Sequence, residues 1–300
     1  MKNTSNNKLK GIAISVFLRW ATLFIIIFLL LTLIDAFTAL SDSNSGGSLT
    51  FRLIFAAAAS MVVNVILYFL VAPRMNKNFR AYRTIIMSIA SEGYSQRNIN
   101  DMEKQLEICM QDREKNEMLV DQYSMFLGEA YISLHRYAEA EKHLDTADYD
   151  KMAKAVQATS NIKPLQNIIM LHVLWIQLFS ARRDKEATEH WVRKGEKYFG
   201  RMRGKDEVTD YFIDTAYFES LLVHDQYSSA LELLKKYESN EALEFGVSLD
   251  KARCLKLMGS AEKANEYFNK AYELAANDWR RLTVELERGV SDSPSENTNS

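Results

Sequence analysis

The chain of 300 residues contains few helix-breaking residues and few cysteines. It has three prolines and eleven glycines, and because both types interrupt helix interiors, their scarcity favours a chain that is helical almost throughout. Only two cysteines occur, Cys109 and Cys254. Two isolated thiols cannot form the disulfide framework of a small secreted protein, and they fit a reducing compartment.

The sequence also lacks the motifs that mark common active sites. Its five histidines form neither an H-x-x-x-H nor an H-E-x-x-H pattern, so we expect no metal site. It contains no P-loop, no G-x-G-x-x-G and no G-x-S-x-G, and neither cysteine lies in a recognisable nucleophile motif. We therefore expect a protein that is not an enzyme, with no catalytic residue and no bound cofactor.

Uncharged apolar residues are concentrated in two segments near the start of the chain. The first runs from Trp20 towards Leu40 with only Asp35 interrupting it, and the second, 53–71, has 19 residues and no charge. A helix needs roughly 20 apolar residues to cross a bilayer. The sequence therefore predicts transmembrane helices at 20–40 and 53–71, joined by a loop at 41–52.

Basic residues flank this predicted hairpin and indicate its orientation. Residues 1–19 contain four Lys or Arg and no acid, and residues 72–83 contain four more, again with no acid. Short segments rich in Lys and Arg stay on the cytoplasmic side. We expect both termini in the cytoplasm, the loop outside, and a plasma membrane location, most simply the inner membrane of a bacterium. The alternative is a cleaved signal peptide with a site near Ala36, although a second apolar segment follows at once.

Small and polar residues recur at intervals of four along the second predicted span. Ala56, Ser60 and Asn64 would form one face of the helix, where small side chains allow close approach and an amide seeks a partner. The expected role is packing against the first span. Self-association, or pairing with another membrane protein, is the alternative.

The remaining chain carries a repeated pattern of a small residue followed four positions later by a large one. It occurs at Ala140/Leu144, Ala187/Trp191, Ala230/Leu234 and Ala264/Phe268, and the last two copies are 34 residues apart. In the first copy Leu127, Gly128 and Tyr131 precede the pair. Small residues let two helices cross closely, and large ones fill the gaps between neighbouring units.

This pattern resembles the tetratricopeptide repeat, a helix–turn–helix unit of 34 residues with an L-G-x-x-Y…A-x-x-x-F signature. The resemblance is closest in the first and last copies. In the second copy, counted from Ile168, Trp175 replaces the small residue of the first helix and Asp184 replaces an aromatic residue. In the third copy Phe218 replaces the small residue, and no copy has the family's terminal proline.

The sequence thus predicts an all-α protein: an N-terminal two-helix transmembrane hairpin followed by a tetratricopeptide-like α-solenoid. We expect a cytoplasmic basic tail at 1–19, a helical connector or worn repeat at 72–120, the solenoid at 121–288 and a disordered tail at 289–300. The connector contains a helix pair broken at Ser91, Glu92 and Gly93. The alternative is an irregular helical bundle without stacking order.

The resemblance implies a concave groove, lined by the first helix of each unit, that takes a peptide or a partner helix. Chaperone-binding members of the family hold a terminal carboxylate with Lys and Asn, which these positions do not match. Counting the units from Asp121, Ile168, Tyr211 and Phe245 assigns the fifth and ninth residues of each unit to the groove: Met125, Glu129, His172, Ile176, Thr215, Glu219, Leu249 and Arg253. Four further candidates lie nearby: Ile132, Phe179, Leu222 and Lys256.

Charge narrows the class of partner. Beyond Arg83 the chain has 28 basic and 37 acidic residues, which argues against nucleic acid because its binding depends on Lys and Arg. We expect a membrane-anchored scaffold or adaptor that binds a protein or peptide partner at the cytoplasmic face, and an oligomer through the hairpin is possible. The alternatives are a regulatory protein that senses a peptide or ligand, and a structural subunit of a membrane complex.

Overall fold

The structure is a computed structural model that describes residues 77–159 and 161–289. The expected all-α class is confirmed for this part of the chain, which holds twelve helices and no strand. The predicted tail 1–19, the two predicted spans with Ala56, Ser60 and Asn64, their loop, and the chain after Gly289 lie outside the described residues. The helices are α1 (Lys77–Glu92), α2 (Gln96–Met110), α3 (Arg113–Ser133), α4 (Tyr137–Leu144), α5 (Tyr149–Ala158), α6 (Ile162–Ala181), α7 (Lys185–Met202), α8 (Glu207–Val223), α9 (Tyr227–Lys235), α10 (Glu244–Leu257), α11 (Ala261–Leu274) and α12 (Asp278–Arg288).

Four short turns with the same backbone geometry join successive helix pairs. Each contains one residue with positive φ, and the following residue donates its N–H to the carbonyl five positions earlier, which is the capping pattern of a Schellman turn. The turns join α3 to α4, α6 to α7, α8 to α9 and α10 to α11. Residues 113–274 therefore contain four equivalent helix pairs in a solenoid-like stack. The positive-φ residues are His135, Arg183, Asp225 and Gly259.

These turns align the four units with one another and correct one of them. Five residues after the positive-φ position stand Ala140, Thr188, Ala230 and Ala264, all essentially inaccessible to solvent. In the second unit the small buried residue is therefore Thr188, whereas Ala187 is only half-buried. The register predicted for the second unit is wrong by one residue, and that unit is counted from Ile169 instead of Ile168.

The physical reason for this shift is the role of Asp184. Its side chain accepts a hydrogen bond from the backbone N–H of Ala187 at 3.0 Å and caps the start of α7. Aspartate is among the preferred residues at this position. Asp184 is therefore equivalent to Arg136, Gln226 and Ser260, the residues that precede the second helix in the other units. The register predicted from the sequence instead equates it with the aromatic residue one position later.

The helix α6 is the central helix of the stack. Eleven of its twenty residues are buried, and it packs against α3, α4, α5, α7 and α8. Within the described residues it is the one helix long and apolar enough to cross a membrane by length and composition. A helix that is apolar on all sides suits the interior of a helical protein equally well, and burial by its neighbours accounts for this one.

The helix α12 covers the last unit and reaches back to the start of the stack. Val284 is fully buried against Phe268, Ala271 and their neighbours in α10 and α11. At its other end Trp279 packs edge-on against Tyr94, with ring centroids 5.6 Å apart. Through this helix, the last unit contacts the turn between α1 and α2.

That turn has room for the tryptophan only because it contains a glycine. Gly93 has φ +73°, and a Cβ there would lie 2.4 Å from the Trp279 Cβ. The turn also lies where the sequence predicts a break between two helices, since α1 ends at Glu92 and α2 begins at Gln96. Gly93 thus ends α1 and makes space for α12.

A polar cavity at the centre of the stack as the candidate functional site

A cavity of about 330 Å³ lies between the first helices of the four units and α12. Two equivalent positions of every unit line it, six and three residues before the positive-φ residue of the turn. Tyr137, Leu249 and Thr283 add to the lining. The eight residues at the equivalent positions are Glu129, Gln177, Glu219 and Arg253, and Ile132, Ser180, Leu222 and Lys256.

Seven of the twelve residues assigned to a groove from the sequence therefore line this cavity. They are Glu129, Ile132, Glu219, Leu222, Leu249, Arg253 and Lys256. Thr215 and Phe179 are half-buried but do not line it. Met125, His172 and Ile176 are fully buried in the core.

The one-residue shift in the second unit explains two of these five differences, Ile176 and Phe179. At the two equivalent positions of that unit, Gln177 and Ser180 line the cavity, and they lie one position after Ile176 and Phe179, respectively. The sequence feature that could have identified these two residues is Asp184, because aspartate prefers the capping position and so marks where α7 begins. Met125 is buried for another reason, because the core surrounds that part of α3.

Arg253 is the centre of a charged network in the cavity. Its Nη1 lies 2.7 Å from Oε1 of Glu219 and 3.3 Å from Oδ1 of Asp250, and its Nε lies 3.4 Å from Oε2 of Glu287. Ser180 donates a hydrogen bond of 2.7 Å to Glu219, whose exposed fraction is only 1%. A buried carboxylate needs such partners, because removing a charge from water is costly.

Burial and charge act in opposite directions on the carboxyl groups around Arg253. Burial raises the pKa of Asp250 to about 6, although Arg253 and the hydroxyl of Tyr211, which donates at 2.7 Å, oppose the shift. Burial would also raise the pKa of Glu287, but Arg253 and His135 lower it below its usual value. One cation therefore serves three carboxyl groups, and the pKa values of two of them, Asp250 and Glu287, are shifted in opposite directions.

Glu129 differs from these three carboxyl groups because its partner is neutral. The Tyr94 hydroxyl donates a hydrogen bond of 2.5 Å to Glu129, and burial raises the pKa of the carboxyl despite that bond. Among the residues that the structure describes, no Lys or Arg forms an ion pair with Glu129. The cavity thus has one side where the carboxyl group of Glu129 has no cationic partner among these residues, and another where Arg253 balances the charge of the neighbouring carboxylates.

The helix α12 closes one side of the cavity through Glu287. Its carboxylate lies 3.3 Å from Nε2 of His135 in the first turn, and its carbonyl accepts a hydrogen bond of 2.6 Å from Nζ of Lys256. One residue of the last helix therefore contacts the first and the fourth unit. A ligand in the cavity would touch α12 as well as the four units.

Among the described residues, the cavity offers side chains that can bind a ligand, and neither cysteine is an activated nucleophile. Burial raises the pKa of Cys254 to about 11 and also raises that of Cys109, so both buried thiols are protonated at neutral pH. In the described part of the chain, no group of three or more His, Cys, Asp or Glu residues is placed to hold a metal ion. Charged, hydroxyl and apolar side chains converge on one cavity, which is the composition of a binding site.

No family model, no curated protein and no solved structure matches this chain.

Proposed function

We propose that this protein is a membrane-anchored, non-enzymatic scaffold of the tetratricopeptide-like type, which binds a protein partner at the cytoplasmic face of the plasma membrane. The observation that carries the proposal is the convergence of equivalent positions from four units on one cavity. Stacked units of this kind provide a contact surface to which each unit contributes the same positions. The two apolar segments at 20–40 and 53–71 would supply the anchor.

The chemistry of the cavity defines the segment that it accepts. Ile132, Leu222 and Leu249 offer apolar contact, whereas Glu129 offers an acceptor with no cationic partner among the described residues. The segment would be short and would combine an apolar side chain with a hydrogen-bond donor or a positive charge. A volume of about 330 Å³ lies at the lower end of the range for small-ligand sites, so one or two side chains of the partner would enter.

Site-specific photo-crosslinking of the full chain in its native membrane tests this proposal. A photoreactive residue at Gln177 would face the cavity, and one at Gln157, which is exposed on α5, is the matched control. The proposal predicts a discrete adduct with one protein from position 177 and none from position 157. Identical adducts from both positions, or none from either, would contradict it.

A second candidate function is the sensing of a short peptide or small ligand. The position of α12 favours it, because this helix lines the cavity through Glu287 and also contacts the α1–α2 turn through Trp279, so a ligand that moved α12 would alter both contacts. Thermal unfolding of the purified full chain with short peptides, together with analysis of the proteins that co-purify with it, distinguishes the sensor from the scaffold. Stabilisation by short peptides in the absence of any large partner favours the sensor, and stable co-purification of one large protein favours the scaffold.

A further inference from the structure

The outward face of α1 combines arginine with large apolar side chains. Phe79 is 37% exposed and Met87 is 64% exposed, and Arg80 and Arg83 are exposed between them. At roughly 100° per residue, these four side chains fall within about a third of the helix circumference. We call this set (Phe79, Arg80, Arg83 and Met87) the α1 face.

The opposite side of α1 joins it to the stack. Ile85 is its one fully buried residue, the Ser88 hydroxyl donates a hydrogen bond of 2.8 Å to Asn98 in α2, and the Tyr82 hydroxyl donates one of 3.2 Å to Gln122 in α3. The α1 face therefore points away from α2 and α3. Its orientation is fixed relative to the four units.

The charge of α1 is of one sign over nearly its whole length. No acidic residue occurs from its start until Glu92, its last residue. The rest of the chain beyond Arg83 has an excess of acidic residues, 37 against 28 basic. A basic helix with exposed apolar side chains is typical of helices that lie at a membrane surface.

Few residues separate α1 from the second apolar segment. That segment ends at residue 71 and α1 begins at Lys77, so the connection spans at most roughly 20 Å when fully extended. If the segment crosses the bilayer, this reach covers the headgroup layer, which extends roughly 5–8 Å beyond the hydrocarbon core. The α1 face is thus within reach of lipid headgroups.

We propose that α1 lies on the cytoplasmic leaflet, where Arg80 and Arg83 bind the phosphate groups of anionic lipids and Phe79 and Met87 enter the boundary between headgroups and acyl chains. This inference rests on the proposed membrane anchoring. Because α1 is hydrogen-bonded to α2 and α3, its contact with lipid would set the orientation of the helical stack at the membrane. That orientation determines the direction from which a partner reaches the cavity.

Spin labels on the full chain in lipid nanodiscs test the proposal. One label replaces Thr84, which is exposed beside the α1 face, and a control label replaces Ser228, exposed on α9. The native Cys109 and Cys254 are buried. In discs of phosphatidylcholine with phosphatidylglycerol, the label at 84 is expected to collide more with oxygen than with an aqueous nickel complex, and the label at 228 to show the reverse.

Charge reversal then isolates the role of the arginines. Arg83→Glu should weaken the lipid contact of the label at 84 by roughly tenfold or more, because it removes one attraction to the anionic surface and adds a repulsion. The matched control is Arg201→Glu, which reverses an exposed arginine on α7 and should leave the contact unchanged. In discs of phosphatidylcholine alone the contact should be weaker than with phosphatidylglycerol.

Three results would overturn the proposal. A label at 84 as accessible to water as the label at 228 shows that α1 does not touch lipid. Equal contact in neutral and anionic discs, or equal effects of the two reversals, shows that the arginines do not bind headgroups. Alkaline carbonate treatment of native membranes separates these failures from that of the anchor: release of the full chain overturns both proposals, whereas a retained chain with a water-exposed label overturns only the α1 contact.

Discussion

At the scale of single residues, the most unusual group is a neutral histidine inside an aromatic cluster. His172 is fully buried, and its ring lies 5.2 Å from that of Trp191 and 5.5 Å from those of Tyr149 and Tyr198. Its Nδ1 lies 3.2 Å from the carbonyl of Trp191. Burial lowers the pKa of His172 to about 4, because the surroundings disfavour the charged form.

This histidine predicts a loss of stability in mild acid. The unfolded chain binds a proton near pH 6.5, whereas the folded protein does so only near pH 4, so His172 costs no stability above pH 6.5 and lowers the free energy of unfolding as the pH falls from there to 4. The loss is on the order of 3 kcal/mol. Urea unfolding from pH 7.5 to pH 4 should show a smaller loss in His172→Leu than in the wild type.

The matched control is Val173→Ala, which alters a fully buried residue beside His172 on α6 without removing a titrating group, so its pH dependence should stay that of the wild type. Asp250, whose raised pKa has the opposite effect on stability between pH 4 and 6, is present in every variant and cancels in the comparison. A wild-type pH profile identical to that of His172→Leu would contradict the assignment.

Arg253 gives a second prediction at the residue scale. Arg253→Met leaves the buried Glu219 without its cation and should lower the free energy of unfolding by about 3–5 kcal/mol. Arg253→Met combined with Glu219→Met should recover part of this loss, because Glu219 is then no longer a buried charge without its cation, whereas Asp250 and Glu287 still lack the arginine. Urea unfolding of the two single variants and the double variant measures the coupling. Strictly additive losses would show that the two side chains do not depend on each other.

At the scale of helices, the register of the second unit gives a pair of substitutions with opposite expected results. Thr188→Gln forces a larger side chain into a filled space between α6 and α7 and should destabilise the protein by about 1–3 kcal/mol. Ala187→Gln alters a half-buried position and should cost much less. Thermal unfolding compares them. A greater loss from Ala187→Gln would restore the register counted from Ile168.

The contact between α12 and the α1–α2 turn can be tested by two glycine substitutions. Gly93→Ala brings a methyl group against Trp279 and also strains a backbone with φ +73°. Gly204→Ala is its matched control, since Gly204 has φ +80° and no atom within 4 Å of the added Cβ. Both variants carry the backbone cost of roughly 1 kcal/mol, and only Gly93→Ala should increase hydrogen exchange in α12. Equal exchange in the two variants would mean that Trp279 does not hold α12.

The helices also show which parts of the fold follow from local sequence. Ala140, Ala230 and Ala264 identify three of the four units because a small residue is required where two helices cross closely. The sequence misplaces the second unit by one residue because Thr188, and not the neighbouring Ala187, occupies the buried position of the alanines, and Asp184 lies at the helix start and not at the aromatic position. The closing contact of Trp279 with Gly93 joins residues far apart in sequence, and no periodicity predicts such a pair. The repeat pattern predicts seven of the residues that line the cavity, but it does not predict Gln177, Ser180 or the residues of α12.

At the scale of the whole molecule, charge is divided between the two ends of the chain. Up to Arg83 there are nine basic and two acidic residues, and beyond it 28 basic and 37 acidic. A basic start favours retention beside the predicted spans on the cytoplasmic side. An acidic remainder is repelled by an anionic leaflet over roughly one Debye length, about 8 Å at physiological salt. The proposed contact with lipid is therefore confined to the α1 face.

The proposed scaffold depends on the membrane holding the helical stack inside the cell, where its partner would be. The most direct measurement is labelling of Ser228→Cys with a membrane-impermeant maleimide, with Ser48→Cys in the predicted outer loop as the reference. We expect residue 48 to react in intact cells and residue 228 to react only after permeabilisation. Labelling of residue 228 in intact cells would contradict the proposed orientation and, with it, the cytoplasmic scaffold.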